Sequence, residues 1–386
     1  MARTITVGID IGTYLVRVLI CEETKEDTLP RIIGTGQAES RGVRYGYIQK
    51  PDEALSALKE ALLEAEKASG IKIKKAALSI SGITLGSETS SASVIISRAD
   101  GEATRLDIEK AISESEDLIE LKNKKILHTL PISYKLDNKE IYGRPEGMKG
   151  SKLEVRTAFV TCLAQHLDDL VDLVNEAGIE VTGVAAAPIL VGNIMLTEKQ
   201  RAVGCALVEI GTETVSIAVF ENSALIALHV FPIGSMDITK DIALGFKIPI
   251  EEAEGIKVGS IINPYPKRRL DEIVEARLSD IFELVEKYLK KINRNQLLPA
   301  GIIFTGGGSH AGAIEDLAKK TLNLPSRLGR YEQHLSKLKL KDANWLVTYG
   351  LCLEEIDTNT RSNTSIRSSG TAVRDFFKNF FKQLLP

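Results

Sequence analysis

The sequence predicts an α/β protein of two related lobes, with a small α+β unit inserted in the first lobe and an amphipathic helix at its C-terminal end. Three observations predict it. A strand–turn–strand pattern occurs twice, 199 residues apart. A run of alternating strands around one helix interrupts the first half. A polar stretch near the end gives way to a stripe of phenylalanines.

The repeat comes first. Residues 8–20 (GIDIGTYLVRVLI) align with 207–219 (LVEIGTETVSIAV). Ile11, Gly12, Thr13 and Val16 recur as Ile210, Gly211, Thr212 and Val215, and Asp10 corresponds to Glu209. Each copy is an apolar run, an acidic residue with Gly-Thr, and a second apolar run, which reads as two strands closed by a tight glycine turn. Helices and strands follow each copy. Residues 54–67 place Leu55, Leu58, Leu62 and Ala65 on one helical face. Residues 76–81 read as a buried strand ending at Gly82, and 166–177 as a helix closed by Gly178. A long helix over 269–292 carries the stripe Leu270, Ile273, Val274, Leu278, Ile281, Phe282, Val285, Leu289 and Ile292. A strand at 301–305 precedes Gly306-Gly307-Gly308-Ser309 and a helix at 313–322. In the insert, strands at 92–96, 126–134 and 155–161 flank a helix at 107–118, with Asp107 as its N-cap. The expected organisation is a first lobe over 1–83 and 163–195, the insert over 84–162, a second lobe over 196–356 with an upper part at about 240–300, a linker over 357–371 and a final helix over 372–386.

Composition sets limits. A chain of 386 residues has room for two or three domains and a sizeable core. A net charge of −3 argues against a general nucleic-acid binder. The four cysteines are far apart and form no Cys-x-x-Cys pair, so neither a disulfide framework nor a zinc site is expected, and a reducing cytosol fits. No secretory leader pattern opens the sequence, and no run of 18 apolar residues would span a membrane.

The paired turns carry the chemistry. Glycine lets backbone N–H groups approach phosphate oxygens, and an acidic residue can hold Mg²⁺ through water. Two such turns on opposed lobes would clamp a triphosphate, with Gly306-Gly307-Gly308 passing close to a nucleoside.

With these features the chain resembles the actin/Hsp70/sugar-kinase superfamily, and in detail the FtsA family of bacterial cell-division proteins. The resemblance extends over nearly the whole chain. Residues 8–16 look like the first phosphate loop, and 77–82 (ALSISG) like the strand before the family's inserted subdomain. Residues 231–243 resemble the segment whose glycine, Gly234 here, lies near the nucleotide. Residues 250–257 resemble the purine-contacting helix, with Glu254 and Lys257 as polar contacts, and 297–308 resemble the adenosine loop.

The resemblance implies a two-lobed actin-like ATPase fold that binds ATP and Mg²⁺. It places Asp10, Gly12, Thr13, Tyr14, Gly211, Thr212, Glu213, Thr214, Gly234, Glu254, Lys257, Gly306, Gly307, Gly308 and Ser309 at the nucleotide, with Asp10 and Glu209 on the metal through water. The second loop departs from the family's usual Asp-Ile-Gly-Gly-Gly-Thr-x-Asp: Glu213 brings a carboxylate to where phosphates would sit, and Ser216 replaces the second acid. A lysine common two residues after the first Thr is Leu15 here, with Arg17 close by. Efficient hydrolysis is therefore not expected, and turnover should stay below about 1 s⁻¹.

The end of the chain changes character. Residues 357–371 (DTNTRSNTSIRSSGT) read as a flexible linker. Val373, Phe376, Phe377, Phe380, Phe381 and Leu384 then recur at helical spacing, with Arg374, Lys378 and Lys382 on the other face. Residues 361–386 hold five cations and one acid, a net +4 that leaves −7 on the body. This pattern predicts a helix lying in the surface of an anionic membrane. The resemblance further implies filament formation with copies of itself, binding of the FtsZ C-terminal peptide near Lys267, Arg268 and Arg269, and contact of the insert with downstream division proteins. It implies a peripheral location on the cytoplasmic side of the membrane at the division site. An actin-like adaptor of type IV pilus assembly and a small-molecule kinase on the same superfold are the alternatives.

Overall fold

In the computed structural model, which describes residues 4–23, 29–262, 264–329 and 343–362, the repeat folds as two sheets of one topology. The first sheet has the order β11 (Glu180–Ala186), β6 (Lys75–Ile80), β1 (Thr4–Ile11), β2 (Leu15–Glu23), β3 (Arg31–Glu39). The second begins with β16 (Ser326–Leu328), β15 (Ile302–Thr305), β12 (Cys205–Ile210), β13 (Val215–Glu221), β14 (Ala224–Phe231). Strands β1 and β12 occupy the same place: each is antiparallel to the strand that follows it and parallel to β6 or β15 on its other side. The register repeats as well, with Asp10 opposite Arg17 and Glu209 opposite Ser216.

Helices cover these sheets for local reasons. Helix α1 (Pro51–Ser69) starts with a proline, whose missing N–H costs nothing in a first turn, and closes on Gly70 at φ 70°. Its buried face is small: Ala54, Ala57, Ala61 and Ala65 beside Leu58 and Leu62, while Leu55 is only partly buried. Alanine on the helix and glycine on β3 bring the two backbones together, since a Cβ on Gly36 would stand 2.0 Å from the carbonyl oxygen of Ala61. Helices α3 (Ala164–Glu176), α4 (Ala187–Met195) and α5 (Glu198–Val203) lead from the insert to the second lobe. There α6 (Ser235–Phe246), α7 (Ile250–Lys257), α8 (Lys267–Lys291) and α9 (Ile314–Leu322) follow. Helix α8 buries Val274, Leu278, Ile281, Phe282, Val285 and Leu289, as its stripe predicted. Full burial stabilises by about 1.5–3 kcal/mol for each such side chain.

Helix α10 (Leu346–Ser362) returns to the first lobe and lies on β1, where a Cβ on Gly8 would come within 2.4 Å of the carbonyl oxygen of Thr348. It extends six residues into the stretch expected as linker. Burial of Tyr349, Leu351 and Cys352 fixes the helix early, and each further polar residue then adds a hydrogen bond without a new nucleation cost. The amphipathic helix expected over 372–386 lies outside the described residues.

The insert contains β7 (Gly86–Ile95), α2 (Arg105–Glu116), β8 (Lys124–Leu136), β9 (Lys139–Ile141) and β10 (Lys152–Leu163). Its own core gathers Val94, Ile108, Ala111, Tyr134, Leu153 and Val155. Helix α2 starts two residues earlier than expected, and its N-cap is Thr104. Asp107 is the third helical residue, and its carboxylate accepts the Thr104 N–H at 2.8 Å, completing a reciprocal capping box. The short β9 was not expected. It follows Asp137 and Asn138, both at positive φ, a two-residue hairpin turn. Nor was the insert expected to join the other lobe. Gly86 of β7 pairs with His229 of β14, and the Leu228 N–H donates to Ser87 Oγ at 2.7 Å. The second sheet therefore continues as β14, β7, β10, β8, β9 and has nine strands.

Candidate functional site

The two glycine turns are built alike. The Gly12 N–H donates to the Leu15 carbonyl at 3.2 Å, and the Gly211 N–H to the Thr214 carbonyl at 2.9 Å. A Cβ on either glycine would stand 3.1 Å from that same carbonyl oxygen. Thr13, Thr212 and Thr214 are partly exposed and Tyr14 is more than half exposed, so both turns open to the outside of the sheets.

Asp10 and Glu209 end their strands one residue before the last position. Ser79 Oγ donates to Asp10 Oδ1 at 2.5 Å. Burial pushes the Asp10 carboxyl above its ordinary range, against the pull of Ser79 and Arg17. Glu209 is pushed up to about 7, first by burial and then by the negative charge of Asp10, with Ser216 and Arg17 opposing. The two carboxylates thus sense each other across the lobes. Ser216, opposite Glu209 in the register, is buried beside it. Hard oxygen donors around a concentrated negative charge fit Mg²⁺ held through water. Among the described residues no group of three or more His, Cys, Asp or Glu gathers to hold a metal directly.

The third loop separates into two kinds of glycine. Gly306 has φ 86°, and a Cβ there would lie 2.5 Å from the Ile210 carbonyl oxygen. Gly308 is closed off by Ile210 Cγ2 at 2.5 Å and Ser235 Cβ at 2.8 Å. Both glycines let the loop pack on the second turn. Gly307 is exposed, and a Cβ there would meet nothing nearer than Asn344 Oδ1 at 4.0 Å. Neither packing nor backbone conformation requires that glycine, and the space beside its Cα is open. Ser309 is buried and donates back to the Gly306 carbonyl at 2.8 Å.

Helix α6 is seated on the second turn. The N–H groups of Ser235 and Met236 donate to the carbonyls of Gly211 and Thr212 at 2.9 and 2.8 Å, and a Cβ on Gly234 would clash with the Thr212 carbonyl. Lys257 is 2.7 Å from Glu254 and donates to Thr239 Oγ1 at 2.8 Å and to the Ser235 carbonyl at 3.1 Å. The structure therefore brings Gly211, Thr212, Gly234, Glu254, Lys257 and Gly306 to Ser309 into one connected group. The first turn is coupled to that group through the charge of Asp10 felt at Glu209.

Glu213 behaves differently from the expectation that its carboxylate faces phosphates. It is 6% exposed and reaches into the first lobe. There it accepts the Tyr45 N–H at 2.8 Å and pairs with Arg44 at 2.5 Å. These residues form the turn between β4 (Val43–Arg44) and β5 (Tyr47–Ile48), with Tyr45 at φ 53° and Gly46 at φ 89°. The far side of that turn is pinned too: His166 Nε2 is 2.8 Å from the Gly46 carbonyl, and a Cβ on Gly46 would lie 2.6 Å from Gly82 Cα. The like-charge conflict anticipated for Glu213 is thereby met by Arg44. No sequence signal marked Arg44, Tyr45 or Ser79, because each enters through a contact distant in the chain.

Lys267, Arg268 and Arg269 are all exposed in the first turn of α8, where the helix dipole gives cations no benefit. Arg268 pairs with Glu272 at 2.9 Å, and Arg269 donates to the Gly245 carbonyl at 3.0 Å. They sit at the end of α6 remote from Gly234. Val373, Arg374, Phe376, Phe377, Lys378, Phe380, Phe381, Lys382 and Leu384 lie outside the described residues. Among the described residues no helix is long and apolar enough to cross a membrane.

Comparison with known proteins agrees with this architecture. Solved structures that share the fold include a type IV pilus biogenesis complex, PilM-PilN, with a TM-score of 0.67 and 17% identity over 91% of this chain and 98% of that one. Another is MreB 5 of Spiroplasma citri bound to AMPPNP, with a TM-score of 0.52 and 13% identity over 94% and 99% of the two chains. The molecule is thus an actin-like protein of two α/β lobes with an added subdomain. The model of the family described as "Cell division protein FtsA" matches residues 206–368, and that of the "SHS2 domain inserted in FTSA" matches residues 82–161. FtsA of Pseudomonas aeruginosa is 31% identical over 84% of this chain and 82% of its own length, and FtsA of Bacillus subtilis is 29% identical over 82% and 76%. The chain belongs to the FtsA family of cell division proteins.

Proposed function

We propose that this protein is an ATP- and Mg²⁺-binding, filament-forming adaptor. It ties the FtsZ ring to the inner face of the cytoplasmic membrane and helps recruit further division proteins. One observation carries the nucleotide part: the same glycine turn occurs twice in equivalent places, with the charge of Asp10 felt at Glu209 and open space at Gly307 in the third loop. In this reading Gly12, Thr13, Gly211, Thr212 and Thr214 offer donors to the phosphates, and Gly307 allows the nucleoside close to the backbone. Glu254 and Lys257 border the base. Bound Mg²⁺ would offset the charge of the phosphates and of the two carboxylates. Asp10 and Glu209 would hold its water shell and become fully ionised there.

The tail supplies the membrane part of the proposal. Four phenylalanines at about 1.5–3 kcal/mol each for full burial are enough to hold a helix in an interface even when partly buried. Lys267, Arg268 and Arg269 are the proposed seat of the acidic FtsZ peptide, and the insert the seat of downstream division proteins. The pilus adaptor shares the fold at 17% identity, which speaks for the fold alone.

The test is electron microscopy of the full chain on an anionic lipid monolayer, with and without ATP and with and without residues 373–386. Filaments that need both ATP and the tail are expected. Equal sedimentation of the truncated chain with anionic liposomes would refute the membrane role. Charge reversal at Lys267, Arg268 and Arg269 that leaves FtsZ-peptide affinity intact would refute the partner site. Turnover above about 1 s⁻¹ would refute the adaptor reading in favour of an enzyme.

A further inference from the structure

One short hairpin belongs to neither large sheet. Among the described residues, β4 and β5 have two residues each and pair with one another alone. The N–H groups of Gln49 and Lys50 close its base on the Gly42 carbonyl, at 2.7 and 3.1 Å. So small a hairpin does not hold its shape or place by itself, and its surroundings must fix it.

Two different parts of the molecule do so. On one side stands Glu213 of the second glycine turn, which accepts the Tyr45 N–H and pairs with Arg44. Its backbone is tied to the second lobe, because the adjoining Thr212 carbonyl accepts the Met236 N–H at 2.8 Å, and a Cβ on Gly234 would stand 2.7 Å from the Glu213 nitrogen. On the other side are the two points where the insert joins the first lobe. At its entry, the Ile83 N–H donates to the Tyr45 carbonyl at 3.2 Å. Just past its exit, in α3, His166 is buried with Nε2 2.8 Å from the Gly46 carbonyl and Nδ1 2.7 Å from Thr84 Oγ1. A carbonyl can only accept, so Nε2 carries the proton and Nδ1 accepts from the Thr84 hydroxyl. Burial pushes this imidazole toward its neutral form, which suits that pairing. The packing leaves little slack, since a Cβ on Gly82 would stand 2.6 Å from the Tyr45 carbonyl oxygen and 3.3 Å from His166 Cε1. Tyr45 is thus held by its N–H to the second lobe and by its carbonyl to the root of the insert.

We propose that Glu213 is a latch that couples the second glycine turn to the insert, with the hairpin at 43–48 as the part that moves. A displacement of the turn passes through Tyr45 to Ile83 and His166, at the entry and the exit of the insert. The coupling needs no bound nucleotide. Its use by ATP rests on the nucleotide reading above.

Hydrogen exchange of the full chain, resolved at single amides, tests this in Glu213→Ala, Glu213→Gln and Thr84→Val. Beyond its effect at Tyr45, Glu213→Ala should speed exchange at Ile83 roughly 3- to 10-fold, with Glu213→Gln in between. Coupling is reciprocal, so Thr84→Val, which takes the hydroxyl from His166, should speed exchange at Tyr45 by a similar factor. Gly178, whose N–H bonds the Asn175 carbonyl beyond the far end of α3, should exchange as in the unmodified chain. Unchanged Ile83 exchange in Glu213→Ala overturns the proposal, as does unchanged Tyr45 exchange in Thr84→Val. An equal rise at Gly178 overturns it too, because the variant would then merely loosen the lobe. If Glu213→Ala does not fold, Glu213→Gln decides by the same readings. A second arm adds saturating ATP with Mg²⁺, which should alter Ile83 exchange in the unmodified chain and not in Glu213→Ala. An equal response in Glu213→Ala, or none in a chain that binds ATP, overturns the latch as the route from ATP to the insert. A chain that binds no ATP refutes the nucleotide reading, and the ligand-free variants still decide the latch.

Discussion

Replacing Glu213 with alanine is expected to release the turn at residues 44–46 from the second lobe. The carboxylate makes two contacts. Its bond from the Tyr45 N–H, at 2.8 Å, is a charged hydrogen bond of about 1.5–3 kcal/mol. Its pair with Arg44 counts for less, about 0.2–1 kcal/mol, because the Arg44 side chain is 50% exposed. Relief of burying the carboxylate offsets part of the loss, which leaves a net cost of about 2 kcal/mol. Tenfold per 1.4 kcal/mol makes the Tyr45 amide exchange about 30-fold faster in Glu213→Ala. Glu213→Gln keeps an acceptor oxygen and loses the charge, so about 1 kcal/mol and about fivefold is expected. Hydrogen exchange resolved at Tyr45 reads both values. A Tyr45 amide as protected in Glu213→Ala as in the unmodified chain would refute the reasoning. So would a glutamine variant as damaging as alanine, since the acceptor oxygen would then count for nothing.

Other outcomes follow from the same geometry. Glu209 titrates near 7 in the folded chain against 4.5 ordinarily, so the fold binds more protons than the unfolded chain between those values. Stability without nucleotide should therefore fall as pH rises from about 4.5 to 7, by up to about 3 kcal/mol, and thermal melts across that range should lose the slope in Glu209→Gln. Gly307→Ala should melt within about 0.5 kcal/mol of the unmodified chain yet bind ATP less well, whereas Gly306→Ala should lose 2 kcal/mol or more, roughly, because its φ is 86° and its Cβ would meet Ile210. Equal melts for the two variants would contradict the division made between those glycines. Asp107→Ala removes the acceptor of the Ser97 and Thr104 N–H groups, so local exchange in the insert should rise by the equivalent of about 2 kcal/mol. Its carboxyl sits at about 2, so in the unmodified chain that contribution is lost as pH falls from 3.8 toward 2.

Much of this molecule was legible because its repeat is written in short-range pattern. The matched runs around Gly12 and Gly211 forecast two hairpins, and the pairing of Asp10 with Arg17 and Glu209 with Ser216 follows from each hairpin's length. The apolar stripe of α8 and the glycine closing α1 are equally local signals. What the sequence could not show came from contacts between distant segments. Glu213 meets Tyr45 across 168 residues, and Ser79 meets Asp10 across 69. DTNTRS is polar on any scale and so carries a linker's pattern, while the helix that holds it is anchored by Tyr349 and Cys352 further back. Thr104 and Asp107 each cap well alone, and only the reciprocal bond, distant from any sequence pattern, decides between them.

The shared nine-stranded sheet has a mechanical meaning. The insert is tied to the first lobe by its chain, at Gly82 and α3, and by the Ala186 N–H donating to His128 Nε2, and to the second by the pair His229 with Gly86 and the bond between Leu228 and Ser87. A stiff body held at both lobes turns when they shift, and it has length. Strand β10 has 12 residues, about 40 Å at roughly 3.3 Å per residue. A rotation of about 5° at the joint carries its far end about 3.5 Å, around the width of a side chain. Any change in the angle between the lobes would therefore be magnified at the tip of the insert.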